Sequence, residues 1–86
     1  MTINKKYILD NICYTQLVYR RINKKLNTNY SKQEIEDLIH KLLKETDEEH
    51  FSKIGKNYYV KNKKNYVSIT INSNTYTVIT VDKIKA

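Results

Sequence analysis

The apolar residues of segment 31–45 recur at the spacing of one helix face. Five of them follow the i, i+3, i+4, i+7, i+8 pattern of a single stripe facing a core: Ile35, Leu38, Ile39, Leu42 and Leu43. Ser31 is followed three residues later by Glu34, which is the spacing of a capping box, and Tyr30 is placed to pack on Ile35 as a hydrophobic staple. The pattern predicts a helix over 31–45.

Residues from about 4 to 26 also have a helical pattern. Their apolar positions step by one turn: Ile8 and Ile12, then Val18, Ile22 and Leu26. A break in this helix would fall at Asp10-Asn11 or at Tyr14-Thr15, where Thr15 is a suitable N-cap for a second helix. The pattern therefore leaves a choice between one bent helix and two short helices over 4–26.

The period changes to that of strands in the last third of the chain. Three segments are rich in tyrosine, valine, isoleucine and threonine: about 57–61, 65–72 and 75–82. In the second of these, Val67, Ile69 and Ile71 alternate with polar residues, which predicts one buried face and one solvated face. We expect hairpin turns at Asn62–Lys64 and Ser73–Asn74.

Two features of the strand region leave alternatives open. Phe51–Ile54 forms a further short edge strand if it finds a partner. In the last segment Tyr76 and Val78 share one parity while Ile79 and Val81 share the other, which indicates a bulge or a strand covered on both faces. Because the sequence TYTVITVD is β-prone and largely uncharged, we expect this strand to be paired or covered.

Helices followed by strands predict an α+β fold. We expect two or three N-terminal helices packed on one face of a three- to four-stranded antiparallel β-meander. A chain of 86 residues has the size of one small domain, so residues 1–86 are expected to form a single domain around one core.

The formal net charge of +7 favours an anionic partner, although composition weakens that argument. Lysine (14), asparagine (10), isoleucine (11) and tyrosine (8) make up 43 of the 86 residues, and all four have codons rich in A and T. The distribution says more: six basic and one acidic residue in 1–30, three and seven in 31–50, and seven and one in 51–86. This alternation predicts two electrostatically distinct surfaces, provided that the segments separate in the fold.

Residue types exclude several kinds of site. One glycine, one cysteine and two histidines are too few for a glycine-rich phosphate loop or a zinc pattern, and there is no nucleophile elbow. We therefore expect no metal and no cofactor, and we expect Cys13 to be a small buried residue. The chain has neither a long apolar run nor a signal-peptide segment, which predicts a cytoplasmic protein with no membrane partner.

The histidines and the acidic run each have a structural and a functional interpretation. His40 lies off the apolar stripe, one turn from Glu36 and from Lys44, and is expected to be solvated. His50, at the crossover from helix to sheet, is either a solvated loop residue or a general acid or base. Before it comes a group of carboxylates that we interpret as a solvated turn or an acidic surface for a basic partner, since a calcium loop needs a different spacing. These are Glu45, Asp47, Glu48 and Glu49.

Basic residues fall into two groups. The first, on the predicted N-terminal helix, is Arg20, Arg21, Lys24 and Lys25, and the second, around the first hairpin, is Lys53, Lys56, Lys61, Lys63 and Lys64. Tyr58, Tyr59 and Tyr66 interleave with the hairpin lysines, and rings that stack on unpaired bases beside lysines that neutralise phosphates suit a single-strand binder or a metal-independent ribonuclease. The alternative is that these are ordinary strand tyrosines, with the helix cations interacting with the helix dipole.

Four stretches resemble a family of small uncharacterised proteins of low-GC Gram-positive bacteria and their mobile elements, catalogued as a domain of unknown function. They are NICYTQLVYRRINKKL, NYSKQEIEDLIHKLLKET, KIGKNYYV and ITINSNTYTVITVDKI. The similarity extends over nearly the whole chain. It implies a fold and no particular activity.

The ending VITVDKI is also similar, more faintly, to the last strand of RelE-like ribonuclease toxins, which place helices ahead of an antiparallel sheet and cut RNA without a metal. No position matches a diagnostic motif of those enzymes. The resemblance implies the following candidates for catalysis or substrate binding: Arg20, Arg21, His50, Tyr59 and Lys61.

Three functions follow from these patterns. The first is a small basic non-enzymatic binding module of phage or mobile-element type, which docks on RNA or DNA or on a nucleoprotein effector such as a defence nuclease, as an anti-CRISPR-like inhibitor does. Its binding residues would be Arg20, Arg21, Lys24, Lys25, Lys56, Tyr58, Lys61, Lys63 and Lys64. The second is a RelE-like endoribonuclease toxin that uses His50, Arg21 and Tyr59. The third is a homodimeric interaction protein that pairs through an exposed last strand.

Overall fold

The structure is a computed structural model that describes residues 3–84, and within that range three helices precede a four-stranded antiparallel sheet. The helices are α1 (Lys5–Asn11), α2 (Gln16–Leu26) and α3 (Lys32–Glu45), and a 3₁₀ turn (Glu48–His50) leads into the sheet. The strands are β1 (Phe51–Ile54), β2 (Asn57–Asn62), β3 (Val67–Asn72) and β4 (Val78–Lys83). The predicted α+β fold is confirmed, with the third helix and the fourth strand both present.

The N-terminal helical region is two helices joined by a short extended segment. Asn4 caps α1 by accepting a hydrogen bond from the Tyr7 N–H through Oδ1 (3.0 Å). The second helix begins directly after Thr15, but the Thr15 hydroxyl makes no capping hydrogen bond. Within residues 3–84, no helix combines the length and the apolar character that a bilayer crossing requires.

Cys13, in the segment between α1 and α2, is exposed, so the expectation that it is buried was wrong. Its backbone forms an isolated parallel bridge with Thr77 at the edge of the sheet. The thiol Sγ lies 3.5 Å from Thr75 O and 3.5 Å from Thr77 Oγ1. Edge pairing of the backbone therefore fixes this residue outside the core.

Helix α3 confirms the strongest local prediction. Ser31 Oγ accepts a hydrogen bond from the Glu34 N–H (3.1 Å), and Glu34 Oε1 accepts one from the Ser31 N–H (2.9 Å), which completes the capping box. Four residues of the predicted stripe are at most 3% exposed: Ile35, Ile39, Leu42 and Leu43. Tyr30 keeps 40% of its surface exposed, and its packing on Ile35 stays a prediction.

The sheet has the strand order β1-β2-β3-β4, which is the expected meander. Segment Phe51–Ile54 pairs along its whole length with β2, from Phe51 opposite Val60 onward. Between β3 and β4 the register passes from Thr70 opposite Thr80 to Ile71 opposite Val78, so Ile79 is an extra residue. The parity change seen in the sequence is therefore a β-bulge.

Strand register assigns each residue to one side of the sheet, because directly opposed residues share a face. The row that packs against the helices is at most 5% exposed: Phe51, Val60, Ile69 and Val81. The opposite side, called the polar face below, carries mainly hydroxyl and charged groups: Ser52, Tyr59, Lys61, Ser68, Thr70, Thr80 and Asp82. The core thus lies between one side of the sheet and the three helices.

Helix α2 runs beside β4 and covers its outer edge. The Cys13 N–H donates to Tyr76 O (2.9 Å) and the Val78 N–H donates to Cys13 O (2.9 Å), so the chain enters α2 already paired to the sheet. One turn into the helix, Arg21 Nη1 donates to Ile79 O (3.2 Å). The start of β4 is therefore covered, as its sequence led us to expect, and β1 forms the opposite edge of the described sheet.

Candidate functional site

Five residues of α2 form one exposed surface, which we call the α2 patch. Its members are Leu17, Arg20, Arg21, Lys24 and Lys25, and they line a shallow depression of about 640 Å³. Helical geometry explains the grouping: Val18 and Ile22 turn toward the core, and the five patch residues fill a contiguous arc on the other side. Leu17 is 71% exposed, so an apolar side chain lies among four cations.

The α2 patch meets the polar face of the sheet at β4. Lys25 Nζ lies 3.1 Å from Asp82 Oδ1, and both side chains remain about half exposed (52% and 43%). Arg21 uses one N–H on Ile79 O, and the rest of its guanidinium stays free to donate. Arg20, Arg21 and Lys24 form no ion pair with any residue in the described range 3–84. Most of the patch charge is therefore available to an anionic partner.

The hairpin lysines have a different setting. Lys61, Lys63 and Lys64 line a depression of about 150 Å³ together with Glu45, Asp47, His50 and Asn62. Three lysines thus share one depression with two carboxylates, which offsets part of their field, although none of the three forms an ion pair in the described range. The acidic and basic segments of the sequence meet at this point, contrary to the separation that the charge pattern suggested. Lys56 lies in the β1–β2 turn, where its carbonyl accepts hydrogen bonds from Ser73.

Asn62 links the hairpin to the end of α3 at this depression, although its sequence position predicted only a turn residue. It is 4% exposed, and its Nδ2 lies within hydrogen-bond distance of three oxygens: Leu42 O (3.3 Å), Glu45 Oε1 (3.1 Å) and Thr46 Oγ1 (3.0 Å). Its Oδ1 accepts from the Asn65 N–H (2.9 Å). No sequence pattern marks such a residue, because its partners on α3 are up to 20 positions away.

The acidic crossover forms a small cluster with His50. His50 Nε2 lies 3.6 Å from Glu49 Oε1, and the ligand atoms of Asp47, Glu49 and His50 all fall within 4.8 Å of one another. Oxygen and imidazole donors of this kind suit a divalent cation. All three side chains are at least partly exposed, so water competes for each of them, and we build no metal site on the cluster. His40 is exposed on α3, as expected.

The two adjacent tyrosines of β2 lie on opposite sides of the sheet. Tyr58 is on the helix side, where its ring centroid lies 6.2 Å from that of Tyr76, which in turn lies 5.3 Å from that of Tyr7. Tyr59 is on the polar face between Ser52 and Thr70. Tyr58 was predicted to lie with the hairpin lysines, but it belongs to a tyrosine cluster beside the helices.

The residues suggested by the toxin resemblance are divided between the two ends of the sheet. His50 precedes β1, whereas Arg21 contacts β4. Neighbouring strands are ~4.8 Å apart, so the outer strands of a four-stranded sheet are separated by about 14 Å. His50 and Lys61 share one depression, but Arg21 is not brought to them. The fold does not assemble His50, Arg21 and Tyr59 into one constellation.

Comparison with known proteins gives one match. A family model described as a protein of unknown function (DUF3781) matches residues 6–82. No curated protein and no solved structure matches the chain. The expected resemblance to an uncharacterised domain family is confirmed, while the lineage and the likeness to ribonuclease toxins stay predictions.

Proposed function

We infer that the chain, which belongs to the DUF3781 family of proteins of unknown function, is a non-enzymatic binding module that docks on the phosphate backbone of a nucleic acid. The contact surface is the α2 patch. The observation that carries this proposal is the concentration of four cations on one arc of α2, three of them without an ion pair in the described range.

The chemistry of the α2 patch suits phosphate. Arg20 and Arg21 offer planar guanidinium groups for bidentate contacts, and Lys24 adds a mobile point charge one turn from Arg20. Arg21 is braced by its bond to Ile79 O, so less side-chain freedom is lost when it binds. Exposed Leu17 supplies an apolar contact for sugar or base at the same surface.

The alternatives have weaker support from the geometry. A hairpin grip would draw on Lys61, Lys63 and Lys64, which form no ion pair in the described range either but share their depression with Glu45 and Asp47. A ribonuclease would need His50 and Arg21 on one substrate atom, and they lie near opposite edges of the sheet. A nucleoprotein effector, including a defence nuclease, would be contacted through the same patch by way of its nucleic acid.

The test compares two variants that each lose two positive charges. Arg20→Ala/Lys24→Ala removes half of the patch cations, and Lys63→Ala/Lys64→Ala is the matched control in the hairpin. Affinity is measured by fluorescence anisotropy at low salt with a labelled strand of about 16 nucleotides. We expect the patch variant to lose about tenfold or more in affinity, and the hairpin variant to bind nearly as the wild type does.

Failure of the wild type to bind either RNA or DNA at low salt would overturn the proposal. Equal losses in both variants would move the contact to the whole basic surface. The same samples are run on a denaturing gel, where cleaved RNA would favour the endoribonuclease alternative.

A further inference from the structure

An apolar groove opens at the C-terminal end of α2, between α3 and the start of β3. Its volume is about 340 Å³, which is within the range of small-molecule sites. Five apolar side chains line it: Leu26, Leu38, Leu42, Val67 and Ile84. The free energy falls when an apolar or aromatic group displaces water from such a surface.

Two exposed tyrosines form the rim of this groove. Tyr30 is 40% exposed and Tyr66 is 54% exposed, and both line the groove. Tyr66 has a φ of 55°, a left-handed conformation that a bulky residue rarely adopts. One side-chain and one backbone acceptor fix the turn there: the Asn65 N–H donates to Asn62 Oδ1 (2.9 Å), and the Ile84 N–H donates to Tyr66 O (2.8 Å). The turn thus keeps an aromatic ring at the surface in a strained backbone conformation.

The charge around the groove favours an anionic ligand. Lys83 lines it, and among its lining residues in the described chain none is a carboxylate. Leu26 belongs to the groove and directly follows Lys24 and Lys25 of the α2 patch. Arg20 lies ~9 Å from Leu26 along the helix axis and, at ~100° per residue, about 120° from it around the axis. A strand that leaves the α2 patch past Lys25 therefore has to turn around the C-terminal end of α2 to bring a base to the groove.

We propose that the groove holds one unstacked base of a single strand whose phosphates lie on the α2 patch. This proposal rests on the proposed function and specifies single-stranded nucleic acid as the ligand. The base stacks against the Tyr66 ring, with Tyr30 at the other rim and Lys83 near its phosphate. Stacking of this kind tolerates any base, because every base has a π-face. An apolar side chain of a protein would fill the groove but would leave Lys83 and the α2 cations unused.

The experiment compares an oligothymidylate with an abasic strand of the same length and label, which has the same phosphates and no bases. We expect the wild type to bind the thymidylate strand about 5- to 150-fold more tightly, the effect of one stacked base. Tyr66→Asn removes the ring and keeps a residue that tolerates the left-handed region. It should lose most of the preference for the thymidylate strand and keep the wild-type affinity for the abasic strand. Tyr66→Phe, which keeps the ring, should retain the preference.

Thermal unfolding followed by circular dichroism verifies that Tyr66→Asn is folded, and Tyr30→Ser, at an exposed rim position, gives a second variant in case it is not. Equal wild-type affinity for the two strands would overturn the base site and leave backbone binding by the α2 patch in place. A full preference retained in both Tyr66→Asn and Tyr30→Ser would also overturn it, and would assign the groove to another occupant such as an apolar side chain. Loss of binding to both strands by the wild type would overturn the groove proposal and the proposed function together.

Discussion

Two tyrosines of the helical layer differ in whether their hydroxyl groups are hydrogen-bonded. Tyr14 stacks on Tyr19, with ring centroids 5.6 Å apart, and Tyr19 Oη donates to Glu36 Oε2 (2.9 Å). The Tyr14 hydroxyl is buried and finds no hydrogen-bond partner among residues 3–84. Burial, with a smaller effect of the nearby Glu36 carboxylate, raises the pKa of Tyr14 well above its usual value of 10.0. The ring therefore stabilises the core, whereas the hydroxyl opposes burial.

Tyr14→Phe should raise the free energy of unfolding at neutral pH by about 1 kcal/mol, because it removes a buried unpaired hydroxyl and keeps the ring. The advantage should grow with pH. Since the folded pKa of Tyr14 is raised, wild-type stability is full below the unfolded value of about 10 and falls as pH rises above it. Urea unfolding followed by circular dichroism at neutral pH and above pH 10 measures both effects.

Tyr7→Phe is the matched control, because Tyr7 is 52% exposed and should tolerate the change. The raised pKa values of Tyr19 and Tyr76 have the same sign and remain in the variant, so a reduced pH dependence is expected and not its loss. A destabilised Tyr14→Phe at neutral pH would mean that the hydroxyl is paired in solution.

Asn62 has the opposite character, since both ends of its amide are used. Asn62→Ala should cost about 2 kcal/mol, because the buried Thr46 hydroxyl loses a donor and the Asn65 N–H loses its acceptor, while Leu42 O keeps its bond from Thr46 Oγ1 (2.6 Å). Chemical denaturation measures the loss. Asn74→Ala, in an exposed turn, should change stability by less than about 0.5 kcal/mol. Similar losses in the two variants would contradict the structural role of Asn62.

At the scale of elements, local sequence patterns predicted a helix or strand correctly where the contacts that stabilise it are local. The Ser31–Glu34 capping box and the apolar stripe of α3 lie within 14 residues, and both were predicted correctly. The parity change around Ile79 predicted either a bulge or a strand covered on both faces, and the register shows that it is a bulge. In β2, Tyr58 and Val60 lie on one side of the sheet, which the interpretation of Tyr58 together with the hairpin lysines did not predict.

The position of α2 and the grouping of the candidate residues depend on contacts between distant segments, which the sequence pattern does not show. The bridge from Cys13 to Thr77 joins residues 64 positions apart, and it fixes both the gap between α1 and α2 and the position of α2 beside β4. That placement determines which cations meet the sheet. The depression that joins the hairpin lysines to Glu45 depends in the same way on Asn62, so the candidate residues were recognised by type and their grouping was not.

At the scale of the whole molecule, folding redistributes the basic, acidic and basic segments of the chain. The acidic crossover lies beside the hairpin lysines near β1. The α2 patch lies beside β4, and among the described residues its ion pair is the one between Lys25 and Asp82. The net charge of +7 is therefore distributed unevenly over the surface. An uneven field steers a polyanion toward one side of the protein and determines how many phosphates it neutralises.

The salt dependence of binding measures that number. Three or four patch cations on a single strand predict a slope of log K against log salt of about −2 to −3, whereas participation of three hairpin lysines would steepen it to about −5. Anisotropy titrations over a series of KCl concentrations give the slope. Arg20→Ala/Lys24→Ala should flatten it by about 1.4, and Lys63→Ala/Lys64→Ala should leave it unchanged. A wild-type slope near −5 that the hairpin variant reduces would show that the lysines facing Glu45 and Asp47 contact phosphate after all, because counterion release counts every neutralised phosphate.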